Sequence, residues 1–451
     1  MSFNGGPTLL SWMEHHTPRT YLKIIEGDEA GKKTRSGHGN AIAQGYNHII
    51  MPLAMDHDKV TQVEWGIRDF EFRFGRKPEG MWLPETAVDL KTLDILHRAG
   101  IKFTILAPHQ ARRIRRRPDG QWMDVKEGSL DTTRAYACKL PGGGEIALFF
   151  YNAHISRAVA FEGLLSSGDE FLRRLLNAFP NREGPQIVHI ATDGESYGHH
   201  HKFGEMALTY VLQEIESKGL ARLTNYGEYL AAHPPDYEVE IWENTSWSCC
   251  HGVERWRSDC GCQTGGKTGW NQKWRGPLRD AMEDLKIKLD RIFEVEGARY
   301  LKDPWKARNS YIDVHISPSQ ERMDTFIRIH QKRSLDYNEK VIVLKLMEMA
   351  RFGLFMFTSC GWFFSDISGI ETVQILQYAA RAIQLGQEIK GEELEGPFLK
   401  ILEKAKSNVE EYGDGLKVYE IFVRPWITDL DRVAAHYGIS SLFEDYGESE
   451  R

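Results

Sequence analysis

Residues 80–85 are Gly-Met-Trp-Leu-Pro-Glu, a short apolar stretch that ends at a proline and an acid. This stretch predicts a buried strand, because proline cannot continue a hydrogen-bonded ladder. Residues 60–74 before it place apolar side chains at helical spacing and stop at Gly75, and residues 90–99 after it predict a helix closed by Gly100. A strand between two helices is typical of a β/α unit.

The same alternation continues through the first half of the chain. Three more apolar stretches predict strands, and two amphipathic segments between them predict helices, one of them capped by Asp169. The predicted strands are residues 103–106, 146–151 and 186–191, and the second helix is residues 206–215. Strands that alternate with helices predict a parallel sheet with helical crossovers, of which a β/α barrel is one form.

The second half has a different character. Residues 240–273 are rich in Trp, Cys, Gly and Ser and show no clear period, whereas apolar stripes at helical spacing follow to the C-terminus. These stripes predict a helical bundle or cap. We therefore expect three regions: an α/β barrel domain at 1–233, a Trp- and Cys-rich loop region at 234–275, and a helical domain at 276–451.

Composition excludes several classes of protein. The net charge of −7 argues against a nucleic-acid partner, and the basic run 112–117 is interpreted as a solvated loop. No apolar stretch reaches 18 residues, so we expect no membrane span. The first residues lack a signal-peptide pattern, and six cysteines in 451 residues do not make a disulfide scaffold. These features predict a cytoplasmic protein.

Two predicted strands end in acids, one at Glu85 and one at Asp193. Active sites of parallel α/β folds lie at the carboxyl ends of the strands, and glycoside hydrolysis needs two carboxyl groups that face one pocket. The alternative is that both acids cap helices or form ion pairs.

Other motifs are open to two interpretations each. The run His199-His200-His201 suits a metal poorly, because neighbouring side chains point apart; one of them lines a pocket, or all lie on an exposed loop. The Cys and His residues of 247–262 invite a zinc site, but their spacing fits a zinc knuckle poorly, and a packed loop with aromatic contacts is the other interpretation. Trp362 either borders a cleft or packs in a core.

At three of these stretches the chain resembles glycoside hydrolase family 57, in particular its subgroup with an uncharacterised C-terminal domain. Residues 82–85 resemble the family region that carries the nucleophile, and residues 193–199 resemble the region that begins with the acid/base. Residues 46–53 resemble the region in which a histidine, here His48, lines the pocket. The stretches 247–262 and 360–362 are similar to signatures of the subgroup.

The resemblance implies an incomplete seven-stranded (β/α)7 barrel followed by a helical region, and an enzyme that acts on α-glucans. It implies Glu85 as nucleophile and Asp193 as general acid/base of a retaining double displacement, with carboxyl groups about 5–5.5 Å apart. Neither a cofactor nor a metal is expected. The side chains expected to bind substrate are His48, Trp82, Glu195, His199, Trp247, Trp256, Asp259 and Trp362.

One family feature has no counterpart here. Family members begin with a strand that carries a His-rich motif ending in Gln-Pro, and no stretch of this chain matches it. We therefore expect a shortened barrel with an open sheet edge and fewer pocket residues. Three alternatives stay open: a glucanotransferase or branching enzyme that uses the same site, a catalytically impaired glucan-binding protein, and a metal-dependent hydrolase of the deacetylase kind.

Overall fold

The structure, a computed structural model, describes residues 1–126 and 128–447. The chain divides into two compact units, one formed by Met1–Glu254 with Trp305–Ile329 and the other by Arg255–Pro304 with His330–Arg451. The first boundary falls after Glu254, where the sequence predicted 233. Residues 305–329 belong to the first unit, whereas the sequence prediction included them in the helical domain at 276–451.

Eight strands occur in the described residues, all within the first unit. They are β1 (Ala43–Gln44), β2 (Met81–Trp82), β3 (Phe103–Leu106), β4 (Ala111–Arg116), β5 (Met123–Asp124), β6 (Ala135–Lys139), β7 (Glu145–Phe150) and β8 (Tyr237–Ile241).

Eighteen α-helices occur in the same residues. They are α1 (Pro7–His16), α2 (Pro18–Thr34), α3 (Asp56–Phe74), α4 (Leu90–Arg98), α5 (Ala153–Phe161), α6 (Gly168–Asn177), α7 (Gly204–Ser217), α8 (Tyr226–Ala232), α9 (Arg275–Tyr300), α10 (Pro304–Ser310), α11 (Ile312–Ile316), α12 (Gln320–His330), α13 (Tyr337–Phe355), α14 (Cys360–Phe363), α15 (Ile370–Lys390), α16 (Glu395–Leu402), α17 (Gly415–Phe422) and α18 (Leu430–Ser440). Ser167 caps α6 in place of the expected Asp169, because its side chain accepts the Glu170 amide.

Extended segments pair in parallel along one wall of the first unit. Phe3 bridges Ala41, β1 pairs with β2, Gly80 bridges Phe103, and β3 pairs with β7. Because these segments run the same way, their carboxyl ends meet at one edge. Apolar side chains from β3 and β7, among them Phe103, Ile105 and Phe149, form the buried interior behind that edge.

The six-stranded sheet has the order β3-β7-β6-β8-β4-β5 and contains antiparallel pairs beyond β7. The interpretation of 112–117 as a solvated loop is wrong for most of the run, because β4 covers residues 111–116. The arginines of β4 stand opposite the acids of β8: Arg113 Nε lies 2.7 Å from Glu240, and Arg115 Nε 2.6 Å from Glu238. Charge pairing across the ladder thus allows a strand of basic residues.

Residues 186–191 do not form the predicted ladder strand, although the segment is extended against its neighbours. The Ile187 amide donates to the Thr133 carbonyl and the Asn152 amide to the His189 carbonyl. On the opposite side, the amides of Val188 and Ile190 have no acceptor in the described part of the chain. A cavity of about 240 Å³ lies there, lined by 187–190 and by Met1 and Ser2.

The second unit is built from helices, as predicted. Helices α9, α13 and α15 pack on one another, and α16 packs on α9. The stripe Leu278, Leu285, Leu289 and Ile292 of α9 is buried, so the predicted helical periodicity is the one that forms the core. Helix α18 buries no side chain.

In the part of the chain that the structure describes, no helix combines the length and the hydropathy needed to cross a membrane.

Candidate active site

Glu85 lies directly after β2 in a single 3-10 turn, Pro84–Thr86. Its φ of 57° and the φ of 51° at Thr86 place two successive side-chain-bearing residues in the left-handed region. This conformation costs about 1–2 kcal/mol per residue, so surrounding contacts must maintain it. One such contact is the Trp247 amide, which donates to the Glu85 carbonyl at 3.0 Å.

The Glu85 carboxylate receives two hydrogen bonds on the same oxygen. Trp247 Nε1 donates to Oε2 at 2.9 Å and Ser248 Oγ donates to it at 2.5 Å. Among the described residues, no donor reaches Oε1. One oxygen is therefore held while the other is available for chemistry.

Gln110 connects the Glu85 turn to the segment that carries these donors. Its fully buried amide accepts from Thr86 Oγ1 and from the Ala107 amide, and it donates to the carbonyls of Thr86 and Thr245. The amide of Val88 also donates to the Thr245 carbonyl at 3.1 Å. The bonds of Gln110 to Thr86 and Ala107 are buried and the bond to Thr245 is partly buried, so they hold the two segments together.

Asp193 follows the extended segment 187–191 and precedes the 3-10 turn Gly194–Ser196. Asp193 is an exposed residue, but the protein around its carboxyl group still removes part of the hydration. This burial raises the pKa of Asp193, and the negative charges of Glu85 and Glu195 raise it further, against a smaller opposing effect of His200. The pKa of Asp193 therefore depends on the charge of Glu85, as in a site with two neighbouring carboxyl groups.

His48 follows β1 at the same edge of the sheet and also has a left-handed backbone, with φ 55°. Burial lowers the pKa of His48, and the Glu85 charge opposes that effect in part. A neutral imidazole beside an anionic carboxylate is an arrangement that can hydrogen-bond a polar ligand. His48, Glu85 and Asp193 thus come from three separate segments of the chain, and the Glu85 charge acts on the other two residues.

Aromatic side chains lie beside Glu85. The rings of Trp82 and Trp247 contact edge to face at 5.1 Å, and Tyr151 contacts Trp247 at 6.0 Å. Trp82 and Trp247 are only partly buried, so ring surface remains accessible. Apolar ring faces of this kind suit a ligand with both apolar and hydroxylated surfaces.

The turn after Asp193 holds the predicted Glu195 and His199. Both residues are exposed, and the amides of His199 and His200 donate to the Glu195 carbonyl. His200 is the histidine of this run whose charge acts on Asp193, whereas His201 contacts the Ala160 carbonyl 3.0 Å away. The run is therefore divided between different environments, as its adjacent positions predicted.

Three predicted substrate contacts lie in the second unit. Trp256 and Trp362 are fully buried there, and Trp256 Nε1 donates to the Ser359 carbonyl at 3.2 Å. Asp259 accepts the Gln272 amide at 2.9 Å. A tryptophan with no exposed ring face packs in the core of its unit and offers no platform to a ligand in this conformation. For Trp362, this agrees with the interpretation as a core residue and not with the one that places it at a cleft.

The sequence did not point to Ser248 or Gln110. Ser248 is one serine in a loop without periodicity, and Gln110 follows β3 among polar residues. Neither residue type at these positions carries a signal of its own. Their importance comes from contacts with the Glu85 turn, which lies 25 or more positions away in the chain, and only the fold brings them together.

Solved structures share this architecture. The chain matches a novel exo-type maltose-forming amylase from Pyrococcus sp. ST04 with a TM-score of 0.72 at 16% identity, covering 98% of this chain and 82% of that one. It matches a branching enzyme from Thermococcus kodakaraensis with a TM-score of 0.52 at 16% identity, covering 91% and 76%. The fold is thus an incomplete (β/α)7 barrel followed by a helical domain, as predicted.

Sequence comparison gives the family. The profile of Glycosyl hydrolase family 57 matches residues 8–241, and a domain of unknown function (DUF3536) matches residues 270–451. Alpha-amylase 1 of Dictyoglomus thermophilum is 28% identical over 190 residues, 42% of this chain and 24% of that protein. A 1,4-alpha-glucan branching enzyme of Thermococcus kodakarensis is 35% identical over 71 residues, 15% of this chain and 10% of that protein.

The family profile covers more than half of the chain, so the chain belongs to glycosyl hydrolase family 57. It spans a quarter or less of the length of these two relatives.

Proposed function

We propose that the protein is a retaining glycoside hydrolase of α-glucans in which Glu85 is the nucleophile and Asp193 the general acid/base. The observation that carries the proposal is the Glu85 carboxylate after β2, which Trp247 and Ser248 hold by one oxygen and whose charge acts on Asp193. Burial and that charge raise the pKa of Asp193, as suits a general acid, and a two-step displacement requires such a pair of carboxyl groups. Family membership and the glucan-active relatives support the substrate class.

In the first step, a Glu85 oxygen attacks the anomeric carbon while the glycosidic bond breaks. The leaving oxygen takes the proton of Asp193, and a covalent glycosyl–enzyme forms. In the second step, Asp193 takes a proton from water, the water oxygen bonds to the anomeric carbon, and the Glu85 carboxylate leaves. Two inversions at one carbon retain its configuration.

The remaining predicted contacts receive roles in this proposal. Trp82 and Trp247 offer ring surface to the apolar faces of glucose units. His48, neutral because of its burial, hydrogen-bonds a sugar hydroxyl near Glu85, and Glu195 and His199 contact the substrate at the more exposed side. Since none of the six cysteines forms a disulfide, we also propose a cytoplasmic location.

Replacement of Glu85 by glutamine tests the proposal. The variant keeps the shape of the side chain but loses the nucleophile, so turnover of maltooligosaccharides should fall on the order of 10³-fold or more. Azide should restore cleavage in Glu85→Ala, because it can attack the anomeric carbon in place of Glu85, on the face opposite the leaving group. The matched control is Glu183→Gln, an exposed acid that precedes the extended segment 187–191.

Unchanged turnover of Glu85→Gln would contradict the assigned nucleophile. NMR of the first product formed should show retained anomeric configuration, and inversion would exclude the two-step route. The same covalent intermediate can be released to a sugar hydroxyl instead of water, and the similarity to a branching enzyme favours this second candidate. Chain-length analysis of products from a single maltooligosaccharide distinguishes the two, because transfer yields products longer than the substrate.

A further inference from the structure

The two hydrogen bonds to Glu85 converge on one atom. Trp247 Nε1 and Ser248 Oγ both donate to Oε2, at 2.9 and 2.5 Å, and no donor reaches Oε1 among the described residues. The carboxylate is therefore asymmetric before any substrate binds. A carboxylate held in this way has one oxygen fixed as acceptor and one oxygen available to form a bond.

The backbone around the two donors is itself held by hydrogen bonds. The Asn244 amide donates to the Val88 carbonyl at 2.8 Å, and His109 Nε2 lies 3.0 Å from the Ser246 carbonyl. Ser246 Oγ in turn donates to the Gly252 carbonyl. Together with the Gln110 bonds, these contacts hold the segment 244–248 in place, so that both of its donors stay beside the same carboxylate oxygen of Glu85.

We propose that Ser248, assisted by Trp247, is a positioning residue that selects Oε1 of Glu85 as the attacking atom and supports Glu85 as a leaving group. The inference rests on the proposed function, because it assigns an atom and a step to that reaction. Oε1 forms the ester bond to the anomeric carbon, and Oε2 becomes the carbonyl oxygen of the covalent intermediate.

The two steps respond differently to donors on Oε2. Negative charge leaves the carboxylate when Oε1 attacks, so hydrogen bonds to Oε2 weaken as the ester forms. The charge returns when water displaces the ester and the C1–Oε1 bonding electrons go back to Glu85, so the same hydrogen bonds strengthen in the second step. Loss of a donor therefore slows release from the intermediate more than its formation.

Ser248→Ala in the full chain is the test, with an aryl α-maltoside as substrate. A hydrogen bond to a charged acceptor lost without replacement corresponds to a fall of about tenfold or more in kcat. KM should fall with it, because the intermediate accumulates, and kcat/KM should change much less. Intact mass spectrometry of quenched enzyme should show a glycosyl adduct, mapped by peptide analysis to Glu85.

A graded series separates positioning from general damage. Ser248→Thr keeps a hydroxyl and should restore kcat, Ser248→Cys offers a weaker donor and should lie between, and Trp247→Phe should resemble Ser248→Ala. Ser166→Ala, which removes an exposed hydroxyl remote from Glu85, is the matched control and should behave as wild type.

Two outcomes would overturn the inference: unchanged kinetics in Ser248→Ala, or a fall in kcat at constant or higher KM without an adduct. In both, Glu85→Gln remains inactive and the proposed function stands. Turnover that survives in Glu85→Gln fails the proposed function instead, so the two failures are distinguishable.

Discussion

At the scale of single residues, Glu85 holds a left-handed backbone conformation that residues with a side chain rarely adopt, and its neighbours keep it there. Besides the hydrogen bonds within the turn, Thr86 is bonded to Gln110, and the Glu85 carbonyl accepts the Trp247 amide. Strain at such a position is maintained only when several contacts determine it together. The carboxyl group is therefore placed by tertiary contacts and not by the local preference of the chain.

Asp193 leads to a prediction at this scale. Because burial and the Glu85 charge raise its pKa in the folded state, the fold binds the proton more tightly than the unfolded chain does. Stability is then lost as the pH rises from the unfolded value of about 3.9 through the folded pKa. Asp193→Asn removes this loss, so its melting temperature at pH 7 should exceed that of the wild type while turnover disappears.

Melting temperatures measured at several pH values distinguish the raised pKa of Asp193 from an effect of the substitution that does not depend on pH. Thermal melts from pH 8 down to pH 4 should show the two proteins converging as Asp193 becomes protonated. A variant less stable than the wild type at pH 7, or a constant difference at every pH, would contradict the raised pKa.

At the scale of elements, the pair β4–β8 shows how charge maintains a strand that hydrophobicity would not predict. Glu238 is nearly buried and lies among three cations, with Lys139 Nζ at 3.0 Å and Arg115 and Arg117 beside it. Burial alone would raise the pKa of Glu238, but the hydrogen bonds and charges of Lys139 and Arg115 outweigh it and lower the pKa. Glu240, two residues on, has a side chain that is 37% exposed.

Glu238→Gln should therefore destabilise the first unit by about 2 kcal/mol, since it leaves several cations around a neutral buried group. Glu240→Gln is the matched control and should cost less than about 1 kcal/mol, as exposed pairs do. The stabilisation by Glu238 is present above the pKa that glutamate has in the unfolded chain. It is lost as the pH falls through the lowered pKa of Glu238 in the folded protein. Urea unfolding measures the free energy of unfolding, and its difference between wild type and Glu238→Gln should be smaller at pH 4 than at pH 7. Equal effects of Glu238→Gln and Glu240→Gln would contradict the prediction.

At the scale of the whole molecule, the chain combines a β/α unit that carries the candidate site with a helical unit of unknown role. Both units contribute cysteines, and none of the six forms a disulfide. Cys138 and Cys249 are buried, whereas Cys250 and Cys360 are exposed. Burial, aided by Glu240 and Glu243, also raises the pKa of the Cys138 thiol to about 12, which suppresses its reactive thiolate.

Alkylation of the native protein should therefore modify Cys250 and Cys360 first, and Cys138 and Cys249 only after unfolding in urea. Peptide mass spectrometry over a time course measures the order, and rapid native modification of Cys138 would contradict it.

Elemental analysis of the same sample tests the zinc interpretation of the loop 247–262, because stoichiometric zinc would overturn the expectation of a metal-free protein.

The sequence by itself determined most of the elements and was enough to propose the two acids. Apolar runs that stop at Pro84 or before Gly194, and stripes at helical spacing, are local patterns, because strand and helix periodicity is set by the backbone of a few residues. Parallel segments must bring their carboxyl ends to one edge, so the order of strands and acids along the chain is enough to propose Glu85 and Asp193 as partners.

Only the tertiary structure decided what holds those acids. Ser248 bonds to Glu85 across 163 positions, and Gln110 bonds to the adjacent Thr86 across 24 positions; hydrogen bonds of that kind have no local pattern. The same holds for β4, where arginines form a strand because acids of β8 face them. The physical reason is that periodicity depends on neighbours in sequence, whereas pKa values, hydrogen-bond partners and burial depend on neighbours in space.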